Sequence, residues 1–273
     1  MCTVTVLPRS CLTAPRAVAD PPLLRVACNR DERLTRYAAV PPSIRTLAGR
    51  RIVMPVDPDS GGTWIAASEA GLVFALLNAN PSPSLNANHG ANLTTDPGAS
   101  ADGAVSRGGL IPSLLGAATV SGALGLVLDA DVTRYRPFRL LVMDAYQLVE
   151  CWVDAGRLRH RRAYLHGALL RTSSSLGDAV VEAPRRALFR RFFKGPANAV
   201  VAQDAFHDHQ WAGREAVSVR MRRNDARTVS HCVVELTPSF ATMTYRATWS
   251  REHARVILPL AAAPALAGVR RCS

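Results

Sequence analysis

The sequence predicts an α+β fold built on antiparallel sheets. β-patterned segments open the chain, helical periodicity is confined to its middle, and β pattern returns in the last third. Residues 2–7 alternate as a strand does. After a proline-containing loop, residues 23–28 form a second strand that ends at the charged run Asn29-Arg30-Asp31-Glu32. A hairpin of these two strands brings Asp31 back toward Cys2. Residues 63–68 and 72–77 flank Glu69-Ala70-Gly71, the strongest hairpin signal in the chain, whose second strand ends at Asn78. Residues 79–105 are rich in Asn, Pro, Ser and Gly without periodicity and read as a long loop. Residues 108–118 carry Leu110, Ile111, Leu114 and Leu115 at helical spacing, with Pro112 tolerated in the first turn. Strands are expected at 138–143 and 147–153. A helix is expected at 184–193, where Leu188, Phe189, Phe192 and Phe193 make an apolar face between arginines. Strands return at 216–221, 228–236 and 240–249. No repeat or internal linker divides the chain, so residues 1–273 are expected to be a single domain.

Composition excludes several function classes. The net charge of +12 comes from 33 basic residues, of which only Lys194 is lysine. That skew points to a GC-rich bacterial genome. Scattered arginines without aromatic platforms or a dense basic run argue against a nucleic-acid groove. The densest cluster, Arg157, Arg159, His160, Arg161 and Arg162, reads as a solvated strand edge, with an acidic partner or lipid headgroup as the alternative. Six cysteines without a CxxC pair fit reduced thiols in the cytoplasm. The N-terminus lacks the apolar core of a secretory signal. The mild stretches at 114–128 and 256–269 fall short of the ~20 apolar residues of a membrane span, so a soluble protein is expected. No His and carboxylate cluster has metal-ligand spacing.

Cys2 is the residue with the most chemistry to offer. Removal of Met1 exposes a thiol and an α-amine on one residue, with ordinary pKa values near ~8.5 and ~7.8, so the neutral amine can take the thiol proton. By position alone, Cys2 reads equally as a small buried residue at a strand start.

Taken together, Met1-Cys2, Asn29-Arg30-Asp31-Glu32, Gly61-Gly62-Thr63-Trp64-Ile65, Leu77-Asn78, Ser106-Arg107-Gly108-Gly109-Leu110 and Tyr135-Arg136-Pro137-Phe138-Arg139-Leu140-Leu141 resemble the NRDE-motif family in order and spacing. That family is also called the transport-and-Golgi-organisation family and is related to the N-terminal-nucleophile hydrolases. The resemblance implies a four-layer αββα sandwich of two antiparallel sheets, with Cys2 at a strand end. It implies an amidohydrolase or acyltransferase that acts on a small amide or acyl substrate through a Cys2 acyl-thioester.

By the same resemblance to cysteine amidases, Asp31 orients the amine, and Asn78 offers donors to an oxyanion. Arg227 steadies the thiolate or binds a carboxylate. Ser173 stands where those amidases place a second asparagine. Arg30, Trp64 and Arg107 are the substrate-binding candidates. Each residue also has a plainer reading: a turn acid paired with Arg30 or Arg33 for Asp31, a turn residue for Asn78, a surface arginine for Arg227. The chain departs from the amidase pattern at Cys28, which fills an arginine slot, and at Ser173. Asn80 stands where many NRDE members have arginine. The alternative function is noncatalytic handling of haem or of lipid and acyl-CoA. His89, His207, His209, His231 or a cysteine would then ligate haem, although none stands in a diagnostic motif. Otherwise no cofactor is expected.

Overall fold

The computed structural model describes residues 2–12, 20–80, 106–154, 157–195 and 198–261. Thirteen strands among these form two antiparallel sheets. The six-stranded sheet has the order β10-β1-β2-β11-β12-β13 and the seven-stranded sheet runs β3 through β9 in sequence order. The strands are β1 Cys2–Pro8, β2 Leu24–Arg33, β3 Val40–Leu47, β4 Arg50–Val56, β5 Ile65–Ser68, β6 Val73–Asn78 and β7 Phe138–Met143. They continue with β8 Gln147–Asp154, β9 Arg157–Tyr164, β10 Leu169–Thr172, β11 Ala226–Leu236, β12 Phe240–Ala247 and β13 His253–Pro259. The helices are α1 Leu110–Leu114, α2 Val120–Asp129, α3 Asp178–Phe192 and α4 Ala199–His207.

Period-two alternation assigns each face. Val4, Val6, Val26, Cys28, Val73, Ala75, Leu77, Leu141, Cys232 and Val234 fill the core between the sheets. Phe74, Leu76, Phe138, Leu140 and Val142 point the other way, against Leu110, Ile111, Leu114, Val120 and Val127 from α1 and α2. On the outer side of the six-stranded sheet, Leu170 packs with Leu188, Phe189 and Phe206 from α3 and α4. The result is the four-layer αββα sandwich, with helices covering both outer faces.

The hairpin at Glu69-Ala70-Gly71 joins β5 and β6, and Gly71 takes a φ of 74°, which a side chain would oppose. The basic cluster at Arg157–Arg162 lies on β9, an edge strand of the seven-stranded sheet. Other expectations are corrected. Residues 216–221 do not form a strand; Glu215–Val217 is a single 3-10 turn, because Ser218 and Trp211 close the chain on itself through a side-chain bond of 2.9 Å. The helix expected at 184–193 begins earlier, at Asp178, so Pro184 lies within it rather than at its start. The helix expected at 108–118 is shorter, and a second one follows at α2, capped by the Thr119 hydroxyl accepting from the Gly122 N–H. The loop expected at 79–105 lies, beyond residue 80, outside the described residues, as does His89. Among the described residues no helix is long and apolar enough to cross a membrane.

Candidate functional site

Cys2 opens β1, paired with Arg30 across β2 and only 4% exposed. The same alternation that sends Val4 and Val6 into the core between the sheets sends the Cys2 side chain there too. Its nitrogen, which becomes the α-amine when Met1 is removed, donates to the Ser173 hydroxyl at 3.2 Å, and the Ser173 N–H donates to the Cys2 carbonyl at 2.9 Å. Ser173 follows β10, whose Thr172 pairs with Thr3, so the sheet itself delivers the hydroxyl to this nitrogen.

The Cys28 thiol donates to the Asn29 carbonyl at 3.8 Å and shares the inner face with Cys2. Its influence as a neighbouring donor outweighs burial and holds the Cys2 pKa below the usual thiol value. The proximity of Cys2, together with burial, pushes Cys28 well up, and burial pushes up Cys232 as well. Of the three thiols on this face, Cys2 is therefore the one biased toward thiolate. Asp31 is buried at 1% exposure and accepts from the Thr228 hydroxyl at 2.6 Å. Burial pushes its carboxyl up, against the pull of Arg185 and of the Thr228 bond.

Arg30 lies next to Cys2 with its guanidinium 4.4 Å from the Trp64 ring centroid. It is tied to Asp57 at 2.8 Å and to Glu32 at 3.4 Å, so its charge is already matched. Trp64 is 6% exposed and its buried indole N–H has no hydrogen-bond partner among the described residues. Arg107 donates to the Pro137 carbonyl at 3.0 Å, and burial, aided by Arg136, lowers its pKa to about 10. Two of the sequence motifs meet here. Gly62 packs against the backbone of Gly108 so closely that an added Cβ would sit 2.2 Å from the Gly108 carbonyl carbon, while the Thr63 N–H donates to the Gly108 carbonyl at 3.1 Å. The glycines are there to let two backbones touch, and their contact sets Trp64 and Arg107 on neighbouring chain segments.

Arg227 lies in β11 opposite Glu32, two positions beyond the row of Arg30 and Ser230 once the bulge at residue 229 is counted. Its guanidinium rests 4.6 Å from the Trp249 centroid, and its buried Nε has no hydrogen-bond partner among the described residues. Asn78 closes β6 opposite Phe138. It falls in the alternation class of Phe74 and Leu76, which face the helices, and out of step with Leu77 in the core between the sheets. A role at Cys2 therefore requires the strand end to turn the carboxamide inward. The structure thus brings Cys2, Ser173, Cys28, Arg30 and Trp64 together around one thiol, and leaves Asn78 at the end of a strand on the facing sheet.

Arg185 was not singled out by sequence reasoning. It is 1% exposed and donates to Thr3, Thr172, the Val217 carbonyl and the Ser218 carbonyl, at distances of 2.6 to 3.0 Å. It locks β1 to β10 on the face behind the nucleophile. Nothing in its local sequence separates it from the other arginines of α3.

The candidate haem ligands among the described residues are differently occupied. His207 accepts from the Thr5 hydroxyl at Nε2 and donates from Nδ1 to Asn29, which leaves no lone pair for iron. His231 donates from Nδ1 to Asn29 Oδ1 at 2.8 Å. His209 packs against Phe192 and Trp211. Among the described residues no group of three or more His, Cys, Asp or Glu side chains is placed to hold a metal ion.

The N-acylethanolamine-hydrolyzing acid amidase ortholog of Caenorhabditis elegans superposes with a TM-score of 0.50 at 14% identity, over 85% of this chain and 91% of that one. A mutant conjugated bile acid hydrolase from Clostridium perfringens gives 0.49 at 10% identity, over 95% and 96% of the two chains. The likeness to the amidase ortholog concerns the fold alone. No curated protein matches the chain significantly. Residues 17–175, more than half of the sequence, match the family described as Transport and Golgi organisation 2, and the chain belongs to that family, the NRDE-motif family.

Proposed function

We propose that this protein is an N-terminal-cysteine amidohydrolase or acyltransferase acting on a small amide or acyl substrate. The observation that carries the reading is the setting of Cys2: Ser173 holds its nitrogen, and the neighbouring Cys28 thiol on the same face lowers its pKa. A nitrogen held by an acceptor keeps its lone pair oriented once it is a free amine, and a thiol with a lowered pKa is more readily thiolate.

In this reading the Cys2 sulfur attacks the substrate carbonyl carbon while the neutral α-amine takes the thiol proton. The tetrahedral intermediate collapses to a thioester as the amine returns that proton to the leaving nitrogen or oxygen. Water or an acceptor amine then attacks the thioester carbon and releases Cys2 as a thiol. Asp31 steadies the protonated amine, Asn78 serves as the oxyanion donor once the end of β6 turns its carboxamide inward, and Arg227, Arg107 and Trp64 border the substrate. Arg227 is the arginine of this group with an unmatched buried Nε, which favours substrates that carry a carboxylate near the scissile bond.

The test is intact-mass analysis of the purified protein before and after reaction with a thiol-reactive acyl probe. Loss of Met1 and a single adduct on the N-terminal peptide are expected. Retention of Met1, or an adduct confined to other cysteines, defeats the mechanism.

A further inference from the structure

Three thiols share the inner face of the six-stranded sheet: Cys2 on β1, Cys28 on β2 and Cys232 on β11. The register pairs Val4 with Cys28 and Cys2 with Arg30, so Cys2 and Cys28 are diagonal neighbours. Both lie in the same buried cluster between the sheets, close enough that each thiol shifts the pKa of the other. Cys232 stands directly opposite Cys28 on the other side. All three are free thiols.

We propose that Cys2 and Cys28 form a covalent modification site for small hydroperoxides, in which Cys28 resolves an oxidised Cys2 into a reversible disulfide. In the first step the Cys2 thiolate attacks the terminal oxygen of the hydroperoxide. An S–O bond forms, the O–O bond breaks, and the alkoxide or hydroxide leaves as alcohol or water after taking a proton. The sulfur gives up two electrons and the peroxide gains them. In the second step the Cys28 sulfur attacks the sulfenic sulfur, the S–S bond forms, the S–O bond breaks, and hydroxide leaves as water with the Cys28 proton. A dithiol reductant restores both thiols.

One feature favours this pair over Cys28 and Cys232: Cys2 is the thiol biased toward thiolate, which the first step needs, whereas Cys232 is held neutral by burial. Cys232 is directly opposite Cys28, so the Cys2 pair has the longer, diagonal span to bridge, from a residue that begins its strand. A bond formed across such a span is strained and easily reduced. The site needs only the two thiols, so a failure of the acyl chemistry proposed above leaves it standing.

The full-length protein, treated with equimolar hydrogen peroxide, is alkylated without reduction, digested and mapped by mass. The expected result is one cross-link joining the Cys2 and Cys28 peptides, with iodoacetamide labelling of Cys2 lost and then recovered on dithiothreitol. In Cys28→Ser and Cys28→Ala, Cys2 should instead advance to sulfinic and sulfonic acids that dithiothreitol does not reverse. The wild-type map alone decides the matter if both variants fail to fold. A Cys28–Cys232 cross-link, an intermolecular one, overoxidised Cys2 beside alkylatable Cys28, or a Cys2 that stays alkylatable throughout would each overturn the proposal.

Discussion

The two faces of the six-stranded sheet are built from alternate residues of the same strands, yet they do opposite things. The inner face carries Cys2, Cys28 and Cys232 among apolar neighbours, with a single biased thiolate. The outer face carries Thr3, Thr5, Arg25 and Asn29, buried against α3 and α4 and fully committed to hydrogen bonds. There Arg25 donates to Gln203, Gln203 donates to Thr5, Thr5 donates to His207, and His207 and His231 both donate to Asn29 Oδ1. The Asn29 amide is oriented by its own bonds to the His207 and Val219 carbonyls, which sets both histidines as Nδ1–H tautomers. The residue types that usually suggest catalysis, His, Arg and Asn, are on this outer face the scaffold, and the plain side, three thiols in a greasy core, is where the proposed chemistry is placed.

The largest effect should come from the inner face. Cys2→Ala is expected to abolish adduct formation with the acyl probe while leaving the thermal unfolding midpoint within a few degrees of wild type, since only one sulfur is removed. An adduct that persists in Cys2→Ala would place the reactive thiol elsewhere. On the outer face, Arg185→Met should cost stability rather than chemistry. It leaves two carbonyls and two hydroxyls without their donor behind β1 and is expected to lower unfolding free energy by about 3 to 5 kcal/mol, read from urea titrations. A near-neutral result would mean that water replaces the guanidinium and that the two faces are less distinct than drawn.

The paired histidines add a pH signature. Burial, and for His207 the neighbouring His231, holds both imidazoles below their ordinary value of 6.5: His207 well below 6.5 and His231 at about 4. Because the folded values lie under the unfolded ones, the unfolded chain takes up protons first as pH falls. Stability is full above pH 6.5 and declines as pH drops toward 4, by roughly 3 kcal/mol from His231 alone. Urea midpoints that stay flat from pH 7 to pH 5 would contradict this. The smallest effect is at the join between the faces: Ser173→Ala removes the acceptor from the Cys2 nitrogen and should slow acylation about tenfold, the worth of one hydrogen bond, without changing stability measurably.

Sequence pattern showed the hairpin at Gly71, the strands flanking it, and the approach of Asp31 to the N-terminus, because turn chemistry and alternation are local. It missed β3 and β13, whose exposed positions blur the period, β4, whose four consecutive buried residues show no alternation, and β10, which is only four residues long. Helix α4 escaped because Gln203 and His207, both buried, break its apolar stripe. The site was half legible. Cys2 and Asp31 stood in recognisable places, and Ser173 and Cys28 were noted as departures. Their approach to the two ends of Cys2 depends on the β1–β2 and β1–β10 registers, which no local signal encodes.

The touching backbones at Gly62 and Gly108 have an engineering consequence. The chain leaves the seven-stranded sheet at Asn80, where both its N–H and its carboxamide are bound by Asp178, and returns at Gly108, clamped by Gly62. The clamp is asymmetric: a methyl group on Gly62 would run straight into the Gly108 backbone at 2.2 Å, whereas one on Gly108 would first meet the Ser60 hydroxyl at 2.9 Å, so Gly62 is the position whose replacement would unseat Trp64 and Arg107 together.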